Sequence, residues 1–322
     1  MKTGCLLLAA LTVMLTGFCT PLQAETRIRF GHFPNVTHVQ ALVAHHLSRE
    51  GKGWFEARLG SGVKIEWYTY YAGPSAMEAV FANSIDVTYV GPSPAINAYA
   101  KSRGTEVRIV AGAANGGAAL VIQPDSAIKT GADFRGKRIA TPQLGNTQDV
   151  ACRAYLAAQG LKVTQMGGDA LVIPTANPDQ LSLFAQKKLD AVWTVEPWVS
   201  RLVREANAKV FLEEKDSVTT VLVSSVKFQN EQRDLLRKLV AAHKELTQWI
   251  KDHPAEAQAM VVEELNAETK SRISPELIAA AWPRIELTNE VALESLKTFV
   301  VNAQKAGFLK TVPSLEALVQ SP

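Results

Sequence analysis

Cysteine is scarce in this chain: Cys5, Cys19 and Cys152 are the only three in 322 residues. No Cys-x-x-Cys pair and no His-Glu-x-x-His occurs, so the common structural-zinc, dithiol and zinc-protease signatures are missing. An excess of one charge is missing too. Lys and Arg number 34 against 31 Asp and Glu, a net charge of +3, and no basic run tracks a nucleic-acid backbone. Low-complexity and linker-like stretches are absent, and the one long apolar run lies at the very start. What is left, 47% hydrophobic and 20% charged, is the composition of a folded water-exposed protein. At roughly 150 residues per domain the length suggests two cores.

Residues 1–24 read as a secretory signal: Lys2 opens it, Leu6 to Leu15 form its apolar core, and Thr20 to Ala24 resemble a cleavage region. The apolar run falls short of the ~20 residues a membrane anchor needs. Phe18 is bulky where a small residue precedes a lipidated cysteine, so anchoring at Cys19 is not expected. Export to the periplasm follows. Cys152 is then the one thiol of the mature chain and reads as a small buried hydrophobe, with no internal disulfide to staple the fold.

From residue 26 to 225 short β-branched runs alternate with helical patterns, which argues for α/β lobes with largely parallel sheets. Beyond about 229 the pattern is purely helical. An internal echo joins the halves: Pro74-Ser75 with Ile85-Asp86-Val87 recurs as Pro178-Asp179 with Leu189-Asp190-Ala191. Each copy runs cap, helix, turn, strand and a Pro-bearing turn, as two lobes of similar build would.

Polar chemistry gathers at helix starts. Asn35 and Thr37, Pro74-Ser75, Ser93-Pro94 and Gly145-Asn146-Thr147 each open a helix just after a strand. Such ends offer free N–H groups and a partial positive charge, and in an open α/β sheet they border the ligand crevice. Several together hold an anion without a cluster of Arg or Lys; most caps, taken singly, only cap. Asn115-Gly116-Gly117 adds a glycine pair after a strand, where backbone approaches closely. Phe33, Tyr70, Tyr71, Trp193 and Trp198 are candidate walls. Glu196 reads as a helix cap, as a partner for a ligand ammonium, or as a general base.

Enzyme signatures fail on context. Gly91-Pro92-Ser93-Pro94-Ala95 is near a nucleophile elbow, but Pro94 has no N–H for an oxyanion hole. Gly131 to Lys137 fits the spacing of a phosphate loop, yet Arg138 replaces the Ser or Thr that holds magnesium, and the segment enters a strand. His38 and His45 stand seven apart on one helix near His32, with no carboxylate at ligand spacing on that face, so no metal site is expected. No cofactor is expected either.

Gly31 to His38, Gly91 to Ala95, Asn115 to Gly117, Thr141 to Asp149 and Glu196-Pro197-Trp198 occur in an order that resembles the substrate-binding proteins of ABC importers for aliphatic sulfonates, taurine and nitrate. The resemblance spans residues 26 to 310 and implies a two-lobed periplasmic-binding-protein fold of type II, not an enzyme. It implies lobe one from residues 25–115 plus 226–322 and lobe two from 116–225. A small organic oxyanion would bind between them: an aliphatic sulfonate, taurine or a sulfate ester. Alternatives on the same fold are a thiamine-precursor pyrimidine, nitrate or bicarbonate. Carried onto this chain, the pocket residues are Asn35, Thr37, His38, Ser75, Ser93, Asn115, Gly116, Asn146, Thr147, Gln148, Glu196 and Trp198. The implied partner is an inner-membrane permease, and the expected state is a monomer.

Overall fold

The computed structural model describes residues 25–165 and 167–320; the signal segment and Cys19 lie outside the described residues. Thirteen strands and twelve α-helices are described. The strands are β1 (Thr26–His32), β2 (Val63–Thr69), β3 (Val87–Val90), β4 (Val107–Gly116), β5 (Ala118–Ile122), β6 (Arg138–Thr141) and β7 (Val163–Thr164). They continue with β8 (Gly167–Gly168), β9 (Leu171–Pro174), β10 (Ala191–Val195), β11 (Lys209–Glu214), β12 (Val218–Ser225) and β13 (Ile285–Leu287). The helices are α1 (Val39–Arg49), α2 (Trp54–Leu59), α3 (Gly73–Phe81), α4 (Pro92–Lys101), α5 (Thr147–Ala158) and α6 (Asn177–Ala185). After them come α7 (Trp198–Ala206), α8 (Val226–Glu231), α9 (Arg233–Asp252), α10 (Pro254–Thr269), α11 (Pro275–Ala281) and α12 (Leu293–Lys305).

Two main sheets result. One runs β13-β4-β12-β3-β1-β2 and the other β11-β5-β10-β6-β9, while β7 and β8 pair as a small ribbon. The sheets are mixed rather than largely parallel as the sequence pattern suggests. β1 pairs parallel with β2 and β3, but β12 runs antiparallel to both β3 and β4. In the second sheet β5 is antiparallel to β10 and β11, and β6 is parallel to its neighbours. Alternation of strand and helix fixes the parallel units; the strands just past each crossing enter from the other side and reverse.

The chain passes between the sheets from β4 to β5 at Gly116–Ala118 and returns between β11 and β12. The second crossing falls at residues 215–217, ahead of the 225/226 boundary that the family resemblance implies, because β12 is built into the first sheet by seven paired positions on β4. The segment beyond 229 is helical except for β13, which adds an edge strand to β4.

Period-two alternation splits each sheet's apolar residues between two faces. Along β12, Leu222 joins the core with Phe30, Leu42 and Leu246, whereas Val221 and Val223 join Ile96, Val107 and Leu296. Along β5, Leu120 and Ile122 pack with Phe134 and Trp193, and Ala119 and Val121 with Phe184 and Val199. Each sheet is thus covered on both sides, with the carboxyl ends of β1, β3, β6 and β10 left to open toward the gap between them.

Candidate functional site

The gap is built from short turns after those strands. After β1, Asn35, Thr37 and His38 line a small polar pocket, and from the opposite sheet Asn146, Thr147 and Gln148 at the start of α5 complete it. Phe33, Tyr71, Asn177 and Thr219 supply further wall. The lobes are nearly in contact here, leaving a free volume of ≈ 30 Å³.

The local folding of α5 explains how its start is presented. Asn146 caps it, its Oδ1 accepting from the N–H of Asp149 at 2.8 Å. The Asp149 carboxylate in turn accepts from the N–H of Gly145 at 2.9 Å and the hydroxyl of Thr141 at 2.9 Å. Arg153, fully buried, donates to Asp149 at 3.1 Å and to the carbonyls of Thr164 and Val172. The pair is neutralised within the lobe, so α5 points its first N–H groups at the gap without a competing charge.

Across the gap α4 begins at Pro92, with Gly91 as its cap. The sequence reading makes Ser93 the cap and Pro94 the first helical residue; the helix in fact starts two residues earlier. Pro92 and Pro94 carry no N–H, so within that tripeptide Ser93 offers the single amide. The Thr147 hydroxyl of α5, on the pocket wall, is buried with no hydrogen-bond partner; so is the Ser93 hydroxyl, which lies behind the lining formed by Gly91 and Pro94 and does not itself line the pocket. The two helix starts face each other at close range: a Cβ built on Gly91 would stand 2.3 Å from Thr147 Oγ1.

His38 is a neutral donor. Its Nδ1 accepts the N–H of Phe33 at 3.3 Å, which leaves the ring proton on Nε2. Burial, with the neighbouring His32, holds its imidazole well below the usual histidine range. Among the described residues lining the pocket there is no Asp, Glu, Lys or Arg.

Other sequence-predicted residues lie elsewhere. Trp198 lines an adjoining cavity of ≈ 110 Å³ with Asn35 and Tyr71, and its Nε1 donates to Asn35 Oδ1 at 3.2 Å across the two lobes. The Glu196 side chain turns away from the pocket. It accepts from the N–H and hydroxyl of Ser200 at 3.1 and 2.9 Å, capping α7, and meets Arg284 at 3.3 Å. Burial pushes its carboxyl up to about 7. Its carbonyl, not its carboxylate, serves the gap, accepting from the N–H of Val36 at 3.0 Å. Ser75 donates to the carbonyl of Ala72 at 2.8 Å within its own helix start. Asn115 Nδ2 lies 3.4 Å from Glu286. Gly116 has φ 72°, and an added Cβ would stand 2.5 Å from the Arg284 carbonyl and 2.8 Å from that of Lys215. Its close approach is therefore to the crossing backbone.

Sequence reading missed Asn177 and Thr219. Asn177 precedes Pro178, the second copy of the internal echo, and so occupies the place that Gly73 has before Pro74; that equivalence was the available signal. Its Oδ1 accepts from Thr194 Oγ1 at 3.2 Å. Thr219 enters the pocket from the return crossing, which linear spacing does not locate. The helix face of His38 and His45 carries no carboxylate of its own, as read from the sequence, but carboxylates reach His45 and His32 from another helix. Glu264 and Glu268 of α10 approach His45 at 3.0 and 2.8 Å, and Glu268 approaches His32 at 3.0 Å. The thiol of Cys152 is buried in the second lobe's core, which pushes its pKa up.

Two double-faced lobes, twice crossed by the chain and meeting over opposed helix starts, define the periplasmic-binding-protein fold. The structure superposes on the alkanesulfonate-binding protein SsuA of Xanthomonas axonopodis pv. citri, solved bound to MOPS, with a TM-score of 0.74, 19% identity, and coverage of 92% of this chain and 99% of that one. The periplasmic nitrate-binding protein NrtA of Synechocystis PCC 6803 superposes with a TM-score of 0.72 at 15% identity, covering 92% of this chain and 85% of the other. At such identities the likeness shows the fold. In sequence, a Bacillus subtilis (strain 168) protein named for aliphatic-sulfonate binding is 27% identical over 271 residues, 80% of this chain and 76% of its own length. The NMT1-like family model matches residues 23–265, and the chain belongs to that family. No helix of the described residues is long and apolar enough to cross a membrane.

Proposed function

We propose that this chain is the exported solute receptor of an ABC importer, capturing a small organic oxyanion between its lobes and presenting the closed form to an inner-membrane permease. The observation that carries the reading is the pair of opposed helix starts, each with a buried hydroxyl that has no partner, Ser93 on α4 and Thr147 on α5. Leaving such groups unpaired costs about 1–3 kcal/mol each, a cost that ligand oxygens accepting both hydroxyls would remove. With amides at the α5 start and His38 Nε2–H, Thr147 lines a neutral donor cradle suited to a sulfonate or sulfate ester, which Ser93 would join by turning its hydroxyl past Gly91 and Pro94. Phe33 and Tyr71 border the organic part. Glu196 is committed to Ser200 and Arg284, so a ligand ammonium meets no carboxylate, and simple alkanesulfonates are favoured over taurine.

A second reading is a planar inorganic anion such as nitrate or bicarbonate, favoured by the ≈ 30 Å³ left between the lobes. The test is thermal unfolding of residues 25–322, stripped of ligand by unfolding and refolding, with alkanesulfonates, sulfate esters, taurine, sulfate, nitrate, bicarbonate and a hydroxymethyl-aminopyrimidine. A ligand at ~100 times its Kd adds about 2.7 kcal/mol. Stabilisation by organosulfur anions supports the first reading and by nitrate or bicarbonate alone the second. A shift with the pyrimidine alone, or none with any anion, refutes both.

A further inference from the structure

The histidine and carboxylate cluster on lobe one is unused by the ligand site. His32 at the end of β1, His45 on α1 and Glu268 on α10 place one ligand atom each within 4.8 Å of one another. His32 is fully buried, and neither of its ring nitrogens completes a hydrogen bond, although Nε2 lies 3.0 Å from Glu268 Oε1. The distance is right for a bond and the direction is not, as when two ligands face a common point instead of each other. Glu268 Oε2 and Glu264 Oε1 likewise complete no hydrogen bond, although Glu264 Oε1 lies 3.0 Å from His45 Nδ1. His45 Nδ1 and Glu268 Oε1 are hydrogen-bonded at 2.8 Å; buried imidazoles and carboxylates are ordinarily satisfied, so the remaining atoms of His32, Glu264 and Glu268 call for a partner.

We propose that His32 Nε2, His45 Nδ1 and Glu268 bind a divalent transition-metal ion of the zinc class, with Glu264 beside them as a second carboxylate and fourth donor. Two imidazoles and a carboxylate are the donor set that borderline ions such as Zn²⁺ or Co²⁺ prefer, with bonds of about 2.0–2.2 Å. The surrounding shell supports the assignment. Arg49 donates to Glu264 Oε2 at 2.9 Å and fixes that carboxylate. Trp67 stacks on His45 at 5.1 Å and meets His32 edge-on at 5.5 Å, holding both rings. His45 is partly exposed, which gives an ion a way in. An ion here ties α10 to the β1 end, next to the segment carrying Asn35, Thr37 and His38.

The experiment titrates the metal-stripped mature protein with Co²⁺, read by visible d–d absorption, and with Zn²⁺ by calorimetry. Expected is one equivalent with tetrahedral-type absorption and quenching of Trp67 by Co²⁺, weakened at least 100-fold in His45→Ala and in Glu268→Gln. His46→Ala, altering a neighbouring histidine outside the set, binds as wild type does. Circular dichroism confirms that each variant is folded, and Glu268→Gln keeps the shape of the side chain should His45→Ala not fold. Absence of stoichiometric binding by the wild-type protein, or equal binding by Glu268→Gln, overturns the proposal. Neither outcome depends on the solute the cleft takes.

Discussion

Gly91→Ala isolates lobe closure from lobe folding. Gly91 has φ −68° and ψ 153°, ordinary extended backbone for alanine, so the first lobe accepts the methyl group without strain. The obstacle comes from the other lobe: the new Cβ would stand 2.3 Å from Thr147 Oγ1 and 3.3 Å from Thr147 Cβ. Thr147 is β-branched and has little rotamer freedom with which to retreat. Forcing a methyl group into a packed contact costs about 1–3 kcal/mol, and here the cost falls on the closed form alone. At 1.4 kcal/mol per tenfold, affinity should drop by roughly 5- to 150-fold. Calorimetry with the best anion from the thermal panel measures that loss, and thermal unfolding without ligand should show an unchanged midpoint. Wild-type affinity in the variant would refute closure through this contact. A midpoint lowered as much without ligand as with it would show that the substitution damages the fold instead.

Three further perturbations follow. Trp198→Phe keeps the ring but removes the Nε1–H that reaches Asn35 across the lobes; loss of a bond worth about 0.5–1.5 kcal/mol weakens binding some 2- to 12-fold in a titration, with the ligand-free midpoint unchanged. Arg153→Ala leaves Asp149 buried without its cation and should cost about 3–5 kcal/mol in urea unfolding. Glu196 has its folded-state pKa raised to about 7 against an ordinary 4.5, so its contribution is fully present below 4.5 and is lost as pH rises through 7. Urea unfolding at pH 5 and pH 8 should therefore show Glu196→Gln gaining on wild type at the higher pH, by an amount of the order of 3 kcal/mol; equal differences at both would contradict the burial argument.

Much of this was legible in the sequence because the signals are local. The short β-branched runs between residues 26 and 225 have counterparts among the β-strands, and the Gly145-Asn146-Thr147 start of α5 lies where its cap residues put it. β11 escaped notice because its apolar run is only Val210 to Leu212, bracketed by Lys209 and by Glu213 and Glu214, and its partner β5 lies far back in the chain. The direction of β5 and β12 depends on where the chain crosses between sheets, a property that no short window holds. Of the site, the segments after β1 and before α5 were readable from cap chemistry. A motif gives a residue's position and not its direction: of the three readings of Glu196 the structure shows the cap, facing Ser200 and not the pocket, and Gly116 faces the crossing backbone. The His32–His45–Glu268 grouping joins residues 223 apart in the chain, beyond any spacing rule on a single helix.

The central claim is that an oxyanion is held by hydroxyls from both lobes. The most direct test is isothermal titration of the stripped mature protein and its Ser93→Ala/Thr147→Ala variant with an alkanesulfonate. Each hydroxyl bond to a charged group is worth about 1.5–3 kcal/mol, so the account predicts binding to the wild type and a loss of at least 100-fold in the variant. Equal affinity in the two proteins would contradict it.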